Sequence, residues 1–216
     1  MKNKIIIFNP RSANGKHRIP NSILQVGAAI QGKFDYVFLD GNLEKDPWQK
    51  IKNYFDSGEF KYFCSTVMPG PQLKEAIPFT KRIKQLYPES ITIWGGYFAA
   101  NQYKVNLNSG YVDYVISGPG DVAFPSLIEA LEKNDEEKIR WIKNLIFKKD
   151  DKIITTAKEA LLNQDKLPDL PYEYLNNFYP LKNYLAKTFM GKKNLVLSFK
   201  YGMPIYLFFL CCCSHL

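Results

Sequence analysis

Four short segments hold the residues of this chain whose types and spacing suit ligand chemistry. They are residues 9–17 (NPRSANGKH), 65–71 (STVMPGP), 95–99 (GGYFA) and 118–121 (GPGD). Each follows an apolar run. Glycine in such a turn permits positive φ and lets a bulky ligand approach the backbone. The Ser and Thr hydroxyls beside it can donate or accept hydrogen bonds. The chemistry on offer is binding, and no residue is assigned a catalytic role. A dinucleotide site needs G-x-G-x-x-G after the first strand, and a P-loop needs G-x-x-x-x-G-K-[ST]; neither is present. A phosphoacceptor domain needs a carboxylate at the end of the third strand, where Ser65 and Thr66 stand instead. No spaced His, Cys, Asp or Glu set fits zinc. With His17 and His215 as the two histidines, no Ser–His–acid triad can be assembled.

The elements that must carry these segments are legible as a repeating pattern. Apolar runs at 4–8 (KIIIF), 35–39 (DYVFL), 61–67 (KYFCSTV), 91–94 (ITIW) and 113–116 (DYVI) are nearly continuous. Strands buried on both faces have that appearance. Between them lie helical spacings: Ile23, Val26, Gly27 and Ile30, then Trp48, Ile51 and Phe55, then Leu73, Ile77, Ile83 and Leu86 around a kink at Pro78. Residues 97–107 are ambiguous. A last helix follows Asp121 as N-cap and carries Phe124, Leu127, Ile128 and Leu131. The alternation predicts an α/β class, with a doubly wound, flavodoxin-like, five-stranded parallel sheet in order 2-1-3-4-5. Ligands of such sheets bind outside the carboxyl ends of the strands, where the four segments fall.

Residues 1–135 are expected to form this domain. Residues 136–200 are expected to hold a small hairpin (144–148 and 152–156), an extended connector packing along another surface (163–185) and one more strand at 194–199. Residues 201–216 read as an aberrant tail. The 216 residues carry 29 Lys and Arg against 21 Asp and Glu, a net charge of +8, with 46% hydrophobic and 23% charged residues. Disorder is excluded by that balance. The positive charge forms no dense block, so nucleic-acid binding has no support. No run approaches the ~20 apolar residues of a membrane span. Cys64 stands alone and Cys211, Cys212 and Cys213 are consecutive, so no disulfide framework is expected and a reducing, cytoplasmic setting is. Oligomeric state is not legible.

The run KIIIFNP, a Ser-containing end to the third strand, ITIWGGYFAA and DYVISGPGDVAFPSLIEAL together resemble the cobalamin-binding domain at the head of cobalamin-dependent radical SAM enzymes. The resemblance covers roughly residues 3–132. Its most specific part is the Trp94-Gly95-Gly96 turn followed by D-Y-V-I-x-G-x-G-[DE]-x-x-F-x-x-L. The family usually has a Gly-Glu-Gly-Glu-like turn where this chain has Gly118-Pro119-Gly120-Asp121. What the resemblance implies is cobalamin as the small-molecule partner. Asn9, Pro10, Ser12, Ser65, Thr66, Gly95, Gly96, Tyr97, Gly118, Gly120 and Asp121 would then be its binding residues. Gly95 and Gly96 would let the nucleotide tail slide between sheet and helices, and Ser65 or Thr66 would donate to its base. Classical cobalamin domains carry D-x-H-x-x-G after the first strand, whose His ligates cobalt. Aligned on Gly15, the Asp position is Pro10 and the His position is Ser12, so ligation by a protein imidazole is not expected. The alternatives are a flavodoxin-like module for another nucleotide-tailed cofactor and a non-catalytic structural domain.

By the same resemblance, a barrel domain should follow, opening with C-x-x-x-C-x-x-C around an iron–sulfur cluster that cleaves S-adenosylmethionine. This chain reads Gly202-Met203-Pro204 there, then IYLFFLCCCSHL. Met is ATG and Pro begins with C, so the frame shifted by one base reads TGC, a Cys codon. Leu207–Phe208 and Leu210–Cys211 can each give another, at the required spacing. The expectation is therefore a frameshift near Gly202 and a chain truncated before its cluster. The cluster and S-adenosylmethionine would belong to the intact parent, which would perform methyl transfer or a rearrangement.

Overall fold

A computed structural model describes residues 3–12, 18–159, 167–188, 191–197 and 208–211. His17 and the cysteines at 212 and 213 lie outside them, as do the other expectations that fall at 198–207. The five apolar runs form β1 (Lys4–Asn9), β2 (Tyr36–Asp40), β3 (Phe60–Thr66), β4 (Ile91–Gly95) and β5 (Tyr114–Ile116). All are parallel, in the order β2-β1-β3-β4-β5. The runs are continuous because alternate residues are buried on opposite faces. Ile5, Ile7, Cys64 and Ile93 join one core with Ile23 and Leu24 of α1 (Asn21–Ile30). Ile6, Phe8 and Phe63 face the other way, onto Ile51 and Phe55 of α2 (Pro47–Asp56) and Ile83 of α3 (Leu73–Leu86). Trp94 and Val115 pack on that second side with Ala99 of α4 (Tyr97–Asn101) and Leu107 of α5 (Tyr103–Asn108). The ambiguous stretch is thus two short helices. Returning to the first side, α6 (Gly120–Glu132) lies against α1 and contributes Phe124, Leu127 and Ile128. Asp121 is not the cap of α6: Pro119 holds that position, and Asp121 lies in the first turn.

The sheet is larger than five strands. After α7 (Glu136–Trp141), the hairpin β6 (Leu145–Lys149) and β7 (Lys152–Thr155) adds to it as strands six and seven. β6 runs antiparallel to β5, with Leu145 opposite Ile116 and Phe147 opposite Tyr114. An otherwise bare edge of β5 is covered this way, and Leu145 and Phe147 are buried in the main core. The sheet is therefore mostly parallel with an antiparallel border, rather than five strands with a detached hairpin.

The connector is not extended. It forms α8 (Tyr172–Phe178) and a 3-10 turn at Leu181–Tyr184, both laid on the domain itself. Leu175, Tyr179 and Tyr184 are buried in the main core. The Tyr174 ring packs 4.7 Å from Tyr36 and 5.8 Å from Phe38, and its hydroxyl donates to the Tyr36 carbonyl at 2.5 Å. The rings that gave no sequence period are anchors, each finding its own slot on the β2 flank. Beyond them, β8 (Ala186–Thr188), β9 (Gly191–Leu197) and β10 (Phe208–Cys211) make a separate antiparallel sheet with β9 central. The expected strand at 194–199 begins three residues earlier. Part of the stretch expected to be an aberrant tail pairs its backbone with Asn194 to Leu197.

Candidate functional site

Parallel strands end together, so the turns after β1, β3, β4 and β5 share one edge. Just inside that edge, between the sheet and helices α1 and α6, lies a cavity of about 510 Å³. Its floor is one residue from each of four neighbouring strands: Ile7, Cys64, Ile93 and Ile116. Pairing fixes their alignment, with Ile7 opposite Cys64 and Cys64 opposite Ile93. Its roof is Ile23 and Val26 of α1, Phe124 of α6 and Leu167. Polar side chains collect toward the mouth: Thr66 at the end of β3, Ser22 and Gln25 in the first two turns of α1, and Asp121 in the first turn of α6. Ser65 borders the cavity too, but its side chain alternates to the other face and its hydroxyl donates to the Thr66 carbonyl. Strand alternation sets this gradient, because Cys64 and Thr66 share a face, as do Ile93 and Gly95.

The two glycines of the β4 turn differ. At Gly95 an added Cβ would meet nothing within 4 Å. Gly95 therefore presents open space to the cavity it lines. Gly96 has φ +93°, and its Cβ would fall 2.9 Å from the Val67 carbonyl oxygen. Its backbone shape requires glycine whatever the ligand. The Gly118-Pro119-Gly120-Asp121 turn closes the far rim. Above the cavity, Gln25 Nε2 donates to Asp121 Oδ1 at 2.5 Å and ties α1 to α6. Burial pushes the Cys64 thiol well up from its usual range, so it stands as a protonated, weak donor on the floor.

Of the eleven residues named from the sequence, Ser65, Thr66, Gly95, Gly96, Gly118, Gly120 and Asp121 line this one cavity. Tyr97 opens α4 outside the lining and is 65% exposed. Asn9 and Pro10 belong to a second, buried polar cluster, and Ser12 is exposed at its edge. Asn9 Nδ2 donates to Asp40 Oδ1 at 2.9 Å. Gln72 Nε2 donates to Asn9 Oδ1 and to the Pro10 carbonyl, both at 3.2 Å. The Ser12 amide and hydroxyl both donate to Asn42 Oδ1, at 2.8 and 3.2 Å. Asp40 is fully buried, and desolvation raises its pKa against hydrogen bonds from Asn9, Asn42 and Tyr184 that favour the charged form. The floor and roof residues were missed by sequence reasoning because they have the composition of ordinary core. Lone Cys64, within two positions of a hydroxyl pair at a strand end, was the available signal. Among the described residues no group of three or more His, Cys, Asp or Glu can hold a metal, and no helix is long and apolar enough to cross a membrane.

No protein-family model and no curated protein sequence matches the chain. Solved structures do match in fold. One is the cobalamin-dependent S-adenosylmethionine radical enzyme OxsB with aqua-cobalamin bound, at TM-score 0.69 and 15% identity over 81% of this chain and 25% of that one. Another is the radical S-adenosylmethionine methyltransferase TsrM from Kitasatospora setae with cobalamin and a 4Fe–4S cluster bound, at TM-score 0.63 and 17% identity over 74% of this chain and 32% of that one. The chain spans about a quarter to a third of the length of these enzymes.

Proposed function

We propose that this chain is a cobalamin-binding module of the kind carried by cobalamin-dependent radical SAM enzymes. The observation that carries the reading is the cavity itself. It is an apolar slot under the carboxyl ends of four parallel strands, entered past a glycine whose Cβ direction is empty. It stands in a fold that OxsB and TsrM share in structures with cobalamin bound. The residues fit the group: the slot takes a flat nucleotide base, and Thr66, on the same face of β3 as Cys64, brings a hydroxyl to its lining as a hydrogen-bond partner. Cobalamin, when bound, supplies a cobalt centre that can carry a methyl group. This chain's own residues would bind and orient it and exclude water from the tail; Ser12, which aligns in sequence with the family's ligating His, donates to Asn42 and offers no imidazole. We read the Met203–Cys213 region as a cluster motif displaced by one base, so that this polypeptide performs no radical chemistry; sequencing the DNA across codons 195–216 tests that part separately.

Incubation with hydroxocobalamin followed by gel filtration tests the binding. Corrinoid absorbance should travel with the protein, near one equivalent per chain. A protein peak that is colourless at saturating hydroxocobalamin overturns the reading.

A further inference from the structure

We infer that the cavity reads the lower base of a corrinoid, accepting a benzimidazole and rejecting a purine. The inference rests on the cobalamin reading above and adds a preference among corrinoids. Polarity is graded along the cavity. Polar side chains stand at the mouth, whereas the floor is Ile7, Cys64, Ile93 and Ile116, and the roof over it is Ile23 and Phe124. All six belong to one buried hydrophobic cluster.

A base that enters from the strand ends, joined to its ribose at the mouth, puts its six-membered ring deepest. In dimethylbenzimidazole that end is a hydrocarbon edge with two methyl groups, which gains from apolar burial. In adenine the six-membered ring carries an exocyclic amine and two ring nitrogens, which must leave water. The sole polar atom that the floor side chains offer is the Cys64 thiol, a weak partner that burial keeps protonated. Leaving a polar group unpaired in such surroundings weakens binding by about tenfold to a hundredfold. Selection here comes from a missing partner for the wrong base.

The test titrates the full chain, by absorbance, with three corrinoids: cobalamin, an adenine-tailed analogue, and cobinamide, which has no base. Cobalamin should bind about tenfold to a hundredfold more tightly than the adenine-tailed form, with cobinamide weaker than cobalamin. Equal affinity for the two tailed forms, or a preference for adenine, overturns the inference and leaves the cobalamin module standing. Failure of all three to bind overturns the module reading, and the inference with it. Cys64→Ser adds a strong hydrogen-bonding group to the floor without changing its shape. In a variant with unchanged circular dichroism, the preference should narrow by roughly threefold to tenfold. An unchanged ratio overturns the placement of the base over Cys64.

Discussion

The Tyr184 hydroxyl donates to Asp40 Oδ2 at 3.0 Å, joining two buried groups 144 positions apart in the chain. Nearby, the Tyr179 hydroxyl accepts from the Asp40 amide at 3.1 Å and donates to Glu44 at 2.5 Å. The segment after the hairpin is thereby latched onto the carboxyl end of β2, beside the turn that holds Asn9 and Pro10. Tyr184→Phe keeps the ring and removes one donor to a buried carboxylate. It should cost about 1.5–3 kcal/mol, measured by urea unfolding against the wild type. A loss within error would mean that the latch carries no stability.

Asp40 should also give stability a pH dependence of defined sign. Its pKa is raised in the folded protein, so its contribution is fully present below its unfolded value of about 3.8 and declines as pH rises through the folded value. Asp40→Asn cannot titrate. The stability of the wild type relative to Asp40→Asn should therefore fall as pH rises above about 4. A difference that stays flat or rises with pH above that value, measured by thermal unfolding, contradicts a carboxyl whose burial outweighs its hydrogen bonds.

The two glycines after β4 should separate folding from binding. Gly96→Ala forces a side chain into positive φ against the Val67 backbone. It should destabilise the fold by about 1–3 kcal/mol. Gly95→Val has an open Cβ direction and a strand conformation that suits a branched side chain. It should leave the melting temperature close to that of the wild type. A reversal of that order in differential scanning calorimetry would contradict the turn geometry.

The border strands and latch should be needed for solubility. Residues 136–188 supply Ile139, Ile142, Leu145, Phe147, Leu175, Tyr179 and Tyr184 to the main core. A fragment ending at residue 135 bares the β5 edge and the far side of β2. It should be less soluble than one ending at residue 188, and an exposed edge strand supplies the route to aggregation. Equal soluble yields and equal melting temperatures would show that residues 1–135 fold alone.

The parallel ladder was legible because doubly buried strands write themselves as unbroken apolar runs, and 22–31-residue spacing leaves room for a helix between them. The seven cavity residues at the strand ends were legible for a related reason, since turns after parallel strands share an edge. What the sequence hid was partnership. Leu145 and Phe147 read as a hairpin, but nothing local says that β5 is the strand they border. Tyr174, Tyr179 and Tyr184 have no period because each fills a different slot on a surface built more than a hundred residues earlier in the chain. Ile7, Ile93 and Phe124 read as core and line a cavity, since an apolar side chain beside a void has the same composition as one beside another side chain. Gly95 and Gly96 are chemically identical neighbours, and only φ and the position of the Val67 carbonyl tell them apart.

The most direct test of the central claim is a pair of aquacobalamin titrations, on the wild type and on Gly95→Val, read by absorbance. The valine side chain would occupy the open direction through which the tail is proposed to enter. The wild type should bind saturably near one equivalent per chain, and Gly95→Val at least about tenfold more weakly at unchanged stability, from steric exclusion alone. Equal affinity in the two proteins, or no binding by the wild type, contradicts that claim.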